Sequence, residues 1–383
     1  MIYLDNCATT KPREEVVKAM YESMMGDFGN PSSLHRLGMN AEKRVKEARK
    51  YIADFLKVDA NEIYFTSGGT ESNNIAIQSF VNKMAKRGKH LITTKIEHPS
   101  VLNIMKHFEK QGFDVTYLNV DEYGVISLEE LRNAIRDDTI LVAIMHVNNE
   151  VGSIQPVAQV KKVIKEKNPN VLLHVDGVQG FGKVDISLKS AGIDSYSFSA
   201  HKIYGPKGIG GLYLDKKHVI SPIVFGGNQE RGLRSGTENV PGIIGFGEAV
   251  RIMSEKYKEE REHVYKVKKH FLERIKEEID DIRINTDLDN SSPYIVNISF
   301  KNVRGEVLLH YLEQKDIYVS TTSACSSKST EKSHVLKSMG LKDNEIEGAI
   351  RFCFSYEITE EDIDYTVEVL KQSVSEIRRV TMR

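Results

Sequence analysis

Short runs of apolar and β-branched residues alternate with helix-like segments along the first part of the chain. The runs predict strands at residues 63–66, 91–94, 114–118, 139–145, 171–175, 194–198 and 209–214. Helices are predicted between the first five runs, at residues 70–86, 99–111, 127–135 and 157–167. This alternation is typical of a mostly parallel sheet covered by helices on both faces. Because the last two strands follow without long helices, the sheet is expected to end with an antiparallel strand.

The pattern changes after residue 236. Residues 238–280 predict one long helix with a charged, solvated face. Shorter elements follow it, with strands at 294–300, 317–320 and 350–354 and a helix at 305–314. The last helix begins at Thr359, with Asp362 in the capping-box position. Its apolar face consists of Ile363, Val367, Leu370, Val374 and Ile377.

Together these elements predict an α/β fold with two domains. A large domain, residues 13–255, contains the mostly parallel seven-stranded sheet between helices. A smaller α/β domain combines residues 1–12 with residues 256–383. The length of 383 residues agrees with this division, because a domain commonly has about 100–200 residues.

Composition argues against several classes of protein. The 53 basic and 54 acidic residues give a net charge of −1, so direct binding to nucleic acid or to a membrane is not expected. No apolar run approaches the roughly 18 residues of a transmembrane span, and the N-terminus lacks a secretory-signal pattern. Three widely spaced cysteines make a disulfide framework or a zinc site unexpected, and they favour a reducing cytoplasm.

The three cysteines have different surroundings. Cys353 lies in the apolar run AIRFCFSY, which is typical of a small buried side chain. Cys7, in DNCATT, is also interpreted as structural. Cys325 lies in STTSACSSKS, a polar stretch without bulky residues, so an exposed thiol is expected there.

Three segments are candidates for chemistry. FTSGGTESNN, at 65–74, follows a strand and opens a helix, where free backbone N–H groups favour a phosphate; an ordinary capped turn is the alternative. Asp176 follows an apolar strand and needs a partner for its charge, such as a protonated cofactor nitrogen; a helix N-cap is the alternative. Lys202 can form a Schiff base if it is enclosed near a phosphate; a surface lysine is the alternative.

The order of these segments is more specific than any of them alone. A phosphate turn, then an acid, then a lysine 26 residues later resembles the pyridoxal-phosphate enzymes of the aspartate-aminotransferase fold. Further motifs extend the pattern over the whole chain: YLDNCATT, GNPSSLH, FTSGGTESNN, EHPSV, HVNNEVG, HVDGVQ, SFSAHKIYGPKGIG, RSGTENV, SACSS and IRFCFS. With these motifs, the whole chain resembles the cysteine desulfurases, class V aminotransferases that take sulfur from L-cysteine.

The resemblance implies pyridoxal 5'-phosphate as the cofactor and fold type I of the enzymes that use it. Lys202 would hold the cofactor as a Schiff base, Asp176 would pair with its pyridine nitrogen, and His98 would stack on its ring. The residues expected to bind the phosphate are Gly69, Thr70, Ser199, His201 and, from the neighbouring subunit of a homodimer, Thr237.

The resemblance also implies how the substrate is bound and processed. Asn149 and Gln179 would touch the cofactor oxygen and orient L-cysteine, and Arg351 would bind its carboxylate. Lys202 would remove the Cα proton, with His98 a candidate for further proton transfer. Cys325, on a loop at about 320–333, would attack the substrate sulfur, which leaves a persulfide and L-alanine. The persulfide sulfur would pass to an iron–sulfur scaffold or a tRNA sulfurtransferase, as in the long-loop branch of the family.

The sequence departs from the family pattern at two positions. Cys7 replaces the usual alanine or serine, which raises the alternative of a second thiol near the persulfide. Thr322 replaces the usual glycine and is expected to stiffen the loop. A selenocysteine lyase or a cysteine lyase on the same fold, and a non-catalytic assembly scaffold, are the alternative functions.

Overall fold

The computed structural model describes residues 1–218, 221–321 and 332–381. Its strands, in chain order, are β1 (Ile2–Tyr3), β2 (Ile63–Thr66), β3 (His90–Thr94), β4 (Asp114–Leu118), β5 (Thr139–Met145), β6 (Leu172–Asp176), β7 (Ser195–Ser199), β8 (Gly210–Leu214), β9 (Ile282–Ile284), β10 (Ile295–Phe300), β11 (Ile317–Tyr318), β12 (Ser320–Thr321) and β13 (Ala349–Cys353). Its α-helices are α1 (Glu14–Gly26), α2 (Arg36–Leu56), α3 (Gly69–Met84), α4 (Pro99–Lys110), α5 (Leu128–Ala134), α6 (Val157–Lys167), α7 (Leu188–Ala191), α8 (Val240–Glu278), α9 (Gly305–Glu313), α10 (His334–Ser338), α11 (Asp343–Glu347) and α12 (Glu360–Thr381). The α/β fold class is therefore confirmed.

A seven-stranded sheet forms the centre of the large α/β layer, in the order β2-β8-β7-β6-β5-β3-β4. The strands from β7 to β4 pair in parallel, whereas β8 pairs antiparallel with both β7 and β2. An antiparallel strand was expected, and β8 is antiparallel. It was expected at the end of the sheet, and this predicted position is wrong. β8 turns back directly beside β7, and β2 then covers its other side as the edge strand.

The parallel strands direct several candidate residues to one edge of this sheet. Asp176 is the last residue of β6, and Lys202 ends the short 3₁₀ helix that follows β7. His98 is the N-cap of α4, just after β3. Because parallel strands share their direction, the segments after them meet at their C-terminal ends.

Two smaller sheets carry the other side of the site. β12, β13, β10 and β9 form one of them, and β1 pairs in parallel with β11 in the other. The N-terminal segment continues beside β13, where the Cys353 backbone N–H donates to the Leu4 carbonyl oxygen at 2.7 Å. The Asn6 side-chain amide donates to the Cys353 carbonyl oxygen at 3.0 Å. The N-terminal segment and β13 are therefore joined.

The hydrophobic side chains form two large clusters. One cluster lies on the central sheet and includes α8 up to Met253, and the other includes α8 from Val264 together with β10, β13 and α12. The five apolar positions predicted for α12 are all buried in the second cluster. α8 runs unbroken through residue 255, so the domain boundary expected there lies within a helix and stays a prediction.

The capping box of α12 forms as predicted. The Asp362 backbone N–H donates to Thr359 Oγ1 at 3.1 Å, and the Thr359 backbone N–H donates to Asp362 Oδ2 at 3.0 Å. Two long helices, α1 and α2, were not predicted, although α2 buries a regular apolar face. None of the helices described combines the length and the apolar character needed to cross a membrane.

Candidate active site

A cavity of about 480 Å³ brings together nearly all the predicted site residues. It lies between the C-terminal ends of the parallel strands, the N-terminal segment and β13. The predicted residues that line it are Gly69, Thr70, His98, Asn149, Asp176, Gln179, Ser199, His201, Lys202 and Arg351. Thr237 is exposed and lies elsewhere on the surface, and Cys325 lies outside the described residues.

Asp176 is a buried acceptor on the cavity wall, with 6% of its surface exposed. Its Oδ2 accepts a hydrogen bond from Asn73 Nδ2 at 2.8 Å, and its Oδ1 accepts one from the Val178 backbone N–H at 3.0 Å. The second bond closes a turn of the type that Asp favours. The next helix, α7, begins only at Leu188. Asp176 is therefore not a helix N-cap.

Asn73 connects Asp176 to His98, and its role was not predicted. It is fully buried in the first turns of α3, and its Nδ2 also donates to Ser100 Oγ at 2.9 Å. Ser100 in turn donates its hydroxyl proton to His98 Nδ1 at 2.9 Å. The signal was the SNN triplet within the phosphate turn, but it becomes informative only once α3 is packed against β6.

The bonds of His98 determine where its ring proton lies. Nδ1 accepts from the Ser100 backbone N–H at 3.2 Å as well as from the Ser100 hydroxyl. The proton of the neutral ring is therefore on Nε2. Burial lowers the pKa of His98; the Asp176 charge opposes this effect, and the Lys202 charge adds to it. A neutral imidazole thus forms part of the cavity wall.

Lys202 reaches the cavity and is not an ordinary surface lysine. Its Nζ donates to the backbone carbonyl oxygens of Cys7 and Ala8, at 2.5 Å and 2.8 Å. Both acceptors belong to the N-terminal segment. The amine therefore lies where the central sheet and the N-terminal segment meet.

One end of the cavity has donors suited to a phosphate. Gly69 and Thr70 begin α3, whose N-cap residue, Gly68, provides no side-chain hydrogen bond. The Ser199 hydroxyl is buried beside them and has no hydrogen-bond partner among the described residues. Unpaired N–H groups at a helix N-terminus and an unsatisfied hydroxyl together fit a bound anion.

His201 lies at the same end of the cavity. Its Nδ1 is 3.1 Å from Thr9 Oγ1. Burial, followed by the charge of Lys202, lowers the pKa of His201 to about 4. The ring is therefore neutral near pH 7 and offers one N–H donor.

The cavity wall also contains an arginine that is 4% exposed. Arg351 Nη1 donates to the Asn149 carbonyl oxygen at 2.9 Å, and Nη2 donates to Asp5 Oδ1 at 2.8 Å. Its Nε has no partner among the described residues. Burial acts to lower the pKa of Arg351, but its interactions with Cys353, Cys7 and Asp5 outweigh this effect and raise the pKa. Asp5 was not predicted as a site residue.

Gln179 is engaged with protein groups in this structure. Its Nε2 donates to the Cys7 carbonyl oxygen at 2.9 Å, and its Oε1 accepts from Lys183 Nζ at 3.2 Å. The contacts expected between Gln179 or Asn149 and the cofactor stay predictions.

The described residues on the two sides of the segment that carries Cys325 are both held by the fold, and the preceding ones lie at the cavity. Ser320 lines the cavity and pairs with Arg351 in the β12–β13 ladder. On the other side, the Ser333 hydroxyl donates to the Glu150 carboxylate. Residues 322–331, which include Thr322, lie outside the described residues.

Comparisons with known proteins agree with this geometry. The family model described as aminotransferase class-V matches residues 2–366. A cysteine desulfurase IscS of Dictyoglomus turgidum is 42% identical over 380 residues, which cover 99% of this chain and 96% of that protein. A cysteine desulfurase IscS of Escherichia coli is 45% identical over 382 residues, covering 98% and 93%.

Solved structures show the same fold. A NifS-like protein superposes with a TM-score of 0.92 at 41% identity, covering 98% of this chain and 99% of that one. A structure described as SspA in complex with cysteine has a TM-score of 0.81 at 35% identity, covering 93% and 99%. The chain belongs to the class-V aminotransferase family and, within it, to the cysteine desulfurases.

Proposed function

We propose that this protein takes the sulfur of L-cysteine with the help of pyridoxal 5'-phosphate and leaves L-alanine and a persulfide on Cys325. The observation that carries the proposal is the single cavity, whose wall contains the phosphate donors, Lys202 and the Arg351 guanidinium together. The segment that contains Cys325 leaves the cavity wall at Ser320. A related protein was solved in complex with cysteine, which supports this substrate.

The residues of the cavity fit the cofactor. The unsatisfied Ser199 hydroxyl and the N-terminus of α3 would hold its phosphate, Asp176 its pyridine nitrogen and Lys202 its aldehyde carbon. When bound, pyridoxal phosphate supplies an electron sink for the charge that remains when the substrate Cα loses its proton. His98 would cover the ring and keep its own proton on Nε2.

Lys202 and Arg351 would act on different groups of the substrate. The Nζ of Lys202 would accept the Cα proton and return it during formation of alanine. Arg351 would bind the substrate carboxylate through its unpaired Nε and through Nη2, which Asp5 engages in this structure. The Asp5 carboxylate shows that this position accepts a carboxylate.

Cys325 would perform the sulfur transfer. Its thiolate attacks the sulfur of the bound cysteine, an S–S bond forms, and the Cβ–S bond breaks with its electron pair left on the substrate carbon. An extended chain spans at most about 3.6 Å per residue, so five residues, the separation of Ser320 and Cys325 in the sequence, can span up to about 18 Å. The covalent chain therefore permits the approach that the reaction requires.

The proposal also includes a homodimer, a sulfur acceptor and a cellular compartment. Thr237 is exposed and lies away from this chain's own cavity, which suits a residue that binds the phosphate of a neighbouring subunit in a homodimer. The persulfide would serve an iron–sulfur scaffold or a tRNA sulfurtransferase. The free thiols of Cys7 and Cys353 fit a reducing cytoplasm.

The decisive experiment measures alanine and sulfide from L-cysteine in the presence of excess thiol reductant. The wild type should release equal amounts of both, and Cys325→Ser should release neither while it still binds the cofactor. Cys353→Ser is the matched control and should retain activity, because Cys353 does not line the cavity. Full activity of Cys325→Ser would contradict the persulfide step and favour a lyase that expels sulfide directly.

A further inference from the structure

Cys7 and Cys353 form a pair of buried thiols beside the cavity, and the proposed reaction uses neither. They come from opposite ends of the chain, and the backbone bonds between residues 4–6 and Cys353 hold them side by side. The two thiols are free, and they lie close enough for each to shift the pKa of the other. This contact comes from two residues that are far apart in sequence, so the pair is a product of the fold.

The two thiols differ in access. Cys7 forms part of the cavity wall with 1% of its surface exposed, whereas Cys353 is fully buried and does not line the cavity. A small molecule that enters the cavity therefore reaches Cys7 before Cys353. This order is typical of a reactive thiol backed by a resolving thiol.

The surroundings of the pair also shift the pKa values of the two thiols in opposite directions. Burial acts to raise the pKa of Cys7, but the hydrogen bond from Cys353 and the charges of Lys183, Arg351 and Lys202 together lower it. Burial and the neighbouring Cys7 raise the pKa of Cys353. Cys7 is thus the more acidic thiol of the pair, and the more acidic thiol forms the nucleophilic thiolate more readily.

A metal ion is not the ligand that this pair suits. Across the described residues, no group of three or more His, Cys, Asp and Glu side chains could hold one. Two thiols in contact at the wall of an accessible cavity support two-electron oxidation instead.

We propose that Cys7 and Cys353 are an oxidation site that a small hydroperoxide converts to a disulfide. With hydrogen peroxide, the Cys7 sulfur attacks one peroxide oxygen, so that an S–O bond forms and the O–O bond breaks. The released hydroxide takes up the proton that the Cys7 thiol had lost and becomes water. The Cys353 sulfur then displaces the oxygen from Cys7, an S–S bond forms, and that oxygen leaves as a second water with the Cys353 proton. Two thiols and one peroxide thus give one disulfide and two waters.

Oxidation of this pair changes the active site. The Cys7 carbonyl oxygen accepts bonds from Lys202 Nζ and Gln179 Nε2, so movement of Cys7 disturbs both side chains. Oxidised enzyme is therefore a less active form, and a dithiol reductant restores it.

The test uses the cofactor-loaded Cys325→Ser protein, in which Cys7 and Cys353 are the remaining cysteines. After treatment with hydrogen peroxide, the free thiols are alkylated and the chain is mapped by mass spectrometry. A peptide that joins Cys7 to Cys353, lost again with dithiothreitol, is the expected result. Two alkylated thiols after treatment, or oxidation of Cys7 that ends at sulfinic acid, would overturn the proposal.

Matched variants in the same background test the order of events. In Cys353→Ser, Cys7 should stop at a sulfenic acid that dimedone traps. In Cys7→Ser, Cys353 should stay reduced, because it does not line the cavity; its oxidation at the wild-type rate would contradict the assigned order. Oxidation of the parent protein should also weaken cofactor binding about tenfold, the effect of losing roughly one hydrogen bond to a charged group. An unchanged affinity in a protein with the mapped disulfide would contradict the link to the site.

Discussion

The candidate site has two walls that are built in different ways. The sheet wall (Asn73, His98, Ser100 and Asp176) is a continuous hydrogen-bonded network on elements of the central sheet. The terminal wall (Asp5, Cys7 and Arg351) joins the N-terminal segment to β13 through charges and a buried thiol pair. The sheet wall is satisfied internally, whereas Arg351 retains an unpaired Nε.

This difference separates two tasks. A network whose members hold one another suits a cofactor that stays bound and must keep one orientation. An arginine paired with a nearby carboxylate suits a substrate that arrives, replaces that carboxylate and leaves. We therefore expect substitutions in the sheet wall to change the rate at saturation, and substitutions in the terminal wall to change the affinity for L-cysteine.

The largest effect is expected where the two walls meet. Lys202→Ala removes the proton acceptor, and loss of general base catalysis alone lowers kcat/KM by about 10²–10⁴-fold. Alanine production from L-cysteine measures the loss. Lys207→Ala, at an exposed position five residues further on, is the control and should be near wild type. A Lys202→Ala activity within about tenfold of wild type would contradict the role of Lys202 as base.

In the sheet wall, Asp176→Asn should lower kcat by about 10–100-fold. The substitution removes the charge opposite the pyridine nitrogen, and a hydrogen bond to a charged group contributes about 1.5–3 kcal/mol. Rates at saturating L-cysteine and saturating cofactor measure the effect. A raised KM with an unchanged kcat would break the division between the walls.

In the terminal wall, Arg351→Lys should raise the KM for L-cysteine about tenfold or more. Lysine cannot reproduce the two-pronged contact with a carboxylate. The cofactor affinity, measured by its absorbance in a titration, should stay unchanged. Asp5→Asn is the matched variant. It removes the charge that competes with the substrate carboxylate for Arg351, so it should not raise the KM for L-cysteine. A weaker cofactor affinity in Arg351→Lys would contradict the assignment.

His174, which is hydrogen-bonded to Asn73 of the sheet wall, is expected to make the free energy of unfolding depend on pH. His174 Nε2 donates to Asn73 Oδ1 at 2.9 Å, and burial lowers the pKa of His174 from 6.5 to about 3. The unfolded chain therefore binds more protons between these values, so the free energy of unfolding falls as the pH drops through this window. At most one proton is involved, which amounts to about 1.4 kcal/mol per pH unit.

His174→Gln should have a shallower pH dependence over the same window and the same slope as wild type at higher pH. Urea unfolding across the window measures both slopes, and the comparison is independent of any constant loss of stability in the variant. Equal slopes would show that His174 is not held neutral by burial.

The smallest effect is expected outside both walls. Thr359→Ala removes the capping-box hydroxyl of α12 and should lower the free energy of unfolding by about 1 kcal/mol. Thermal unfolding measures this loss, and kcat/KM should stay unchanged. A large fall in activity would mean that the terminal wall depends on α12 more closely than the contacts indicate.

Part of the sheet wall was predictable from the sequence, because Asp176 follows a strand with a clear apolar pattern. Lys202, where the two walls meet, was identified in the same way, and the parallel order of β5, β6 and β7 explains why Asp176 and Lys202 lie at one cavity. Asn73 was missed because its role depends on the packing of α3. The antiparallel β8 was misplaced at the end of the sheet because connection length indicates direction and not lateral order.

The terminal wall was not predictable from local pattern. Asp5 and Arg351 meet only because the N-terminal segment runs beside β13, a long-range pairing that no periodicity reveals. Family resemblance supplied Arg351, but it supplied neither Asp5 nor the contact between Cys7 and Cys353. Cys353 was correctly expected to be buried. Cys7, which was expected only to be structural, is buried as well, and the proximity of the two thiols follows from the tertiary fold alone.

The most direct test of the division between the walls is a crystal structure of the cofactor-loaded Cys325→Ser protein with L-cysteine bound. We expect the cofactor phosphate within hydrogen-bond distance of Ser199 Oγ and the N-terminus of α3. We also expect the substrate carboxylate on Arg351, with Asp5 displaced from Nη2. A substrate carboxylate at the sheet wall, or a phosphate on Arg351, would contradict the account.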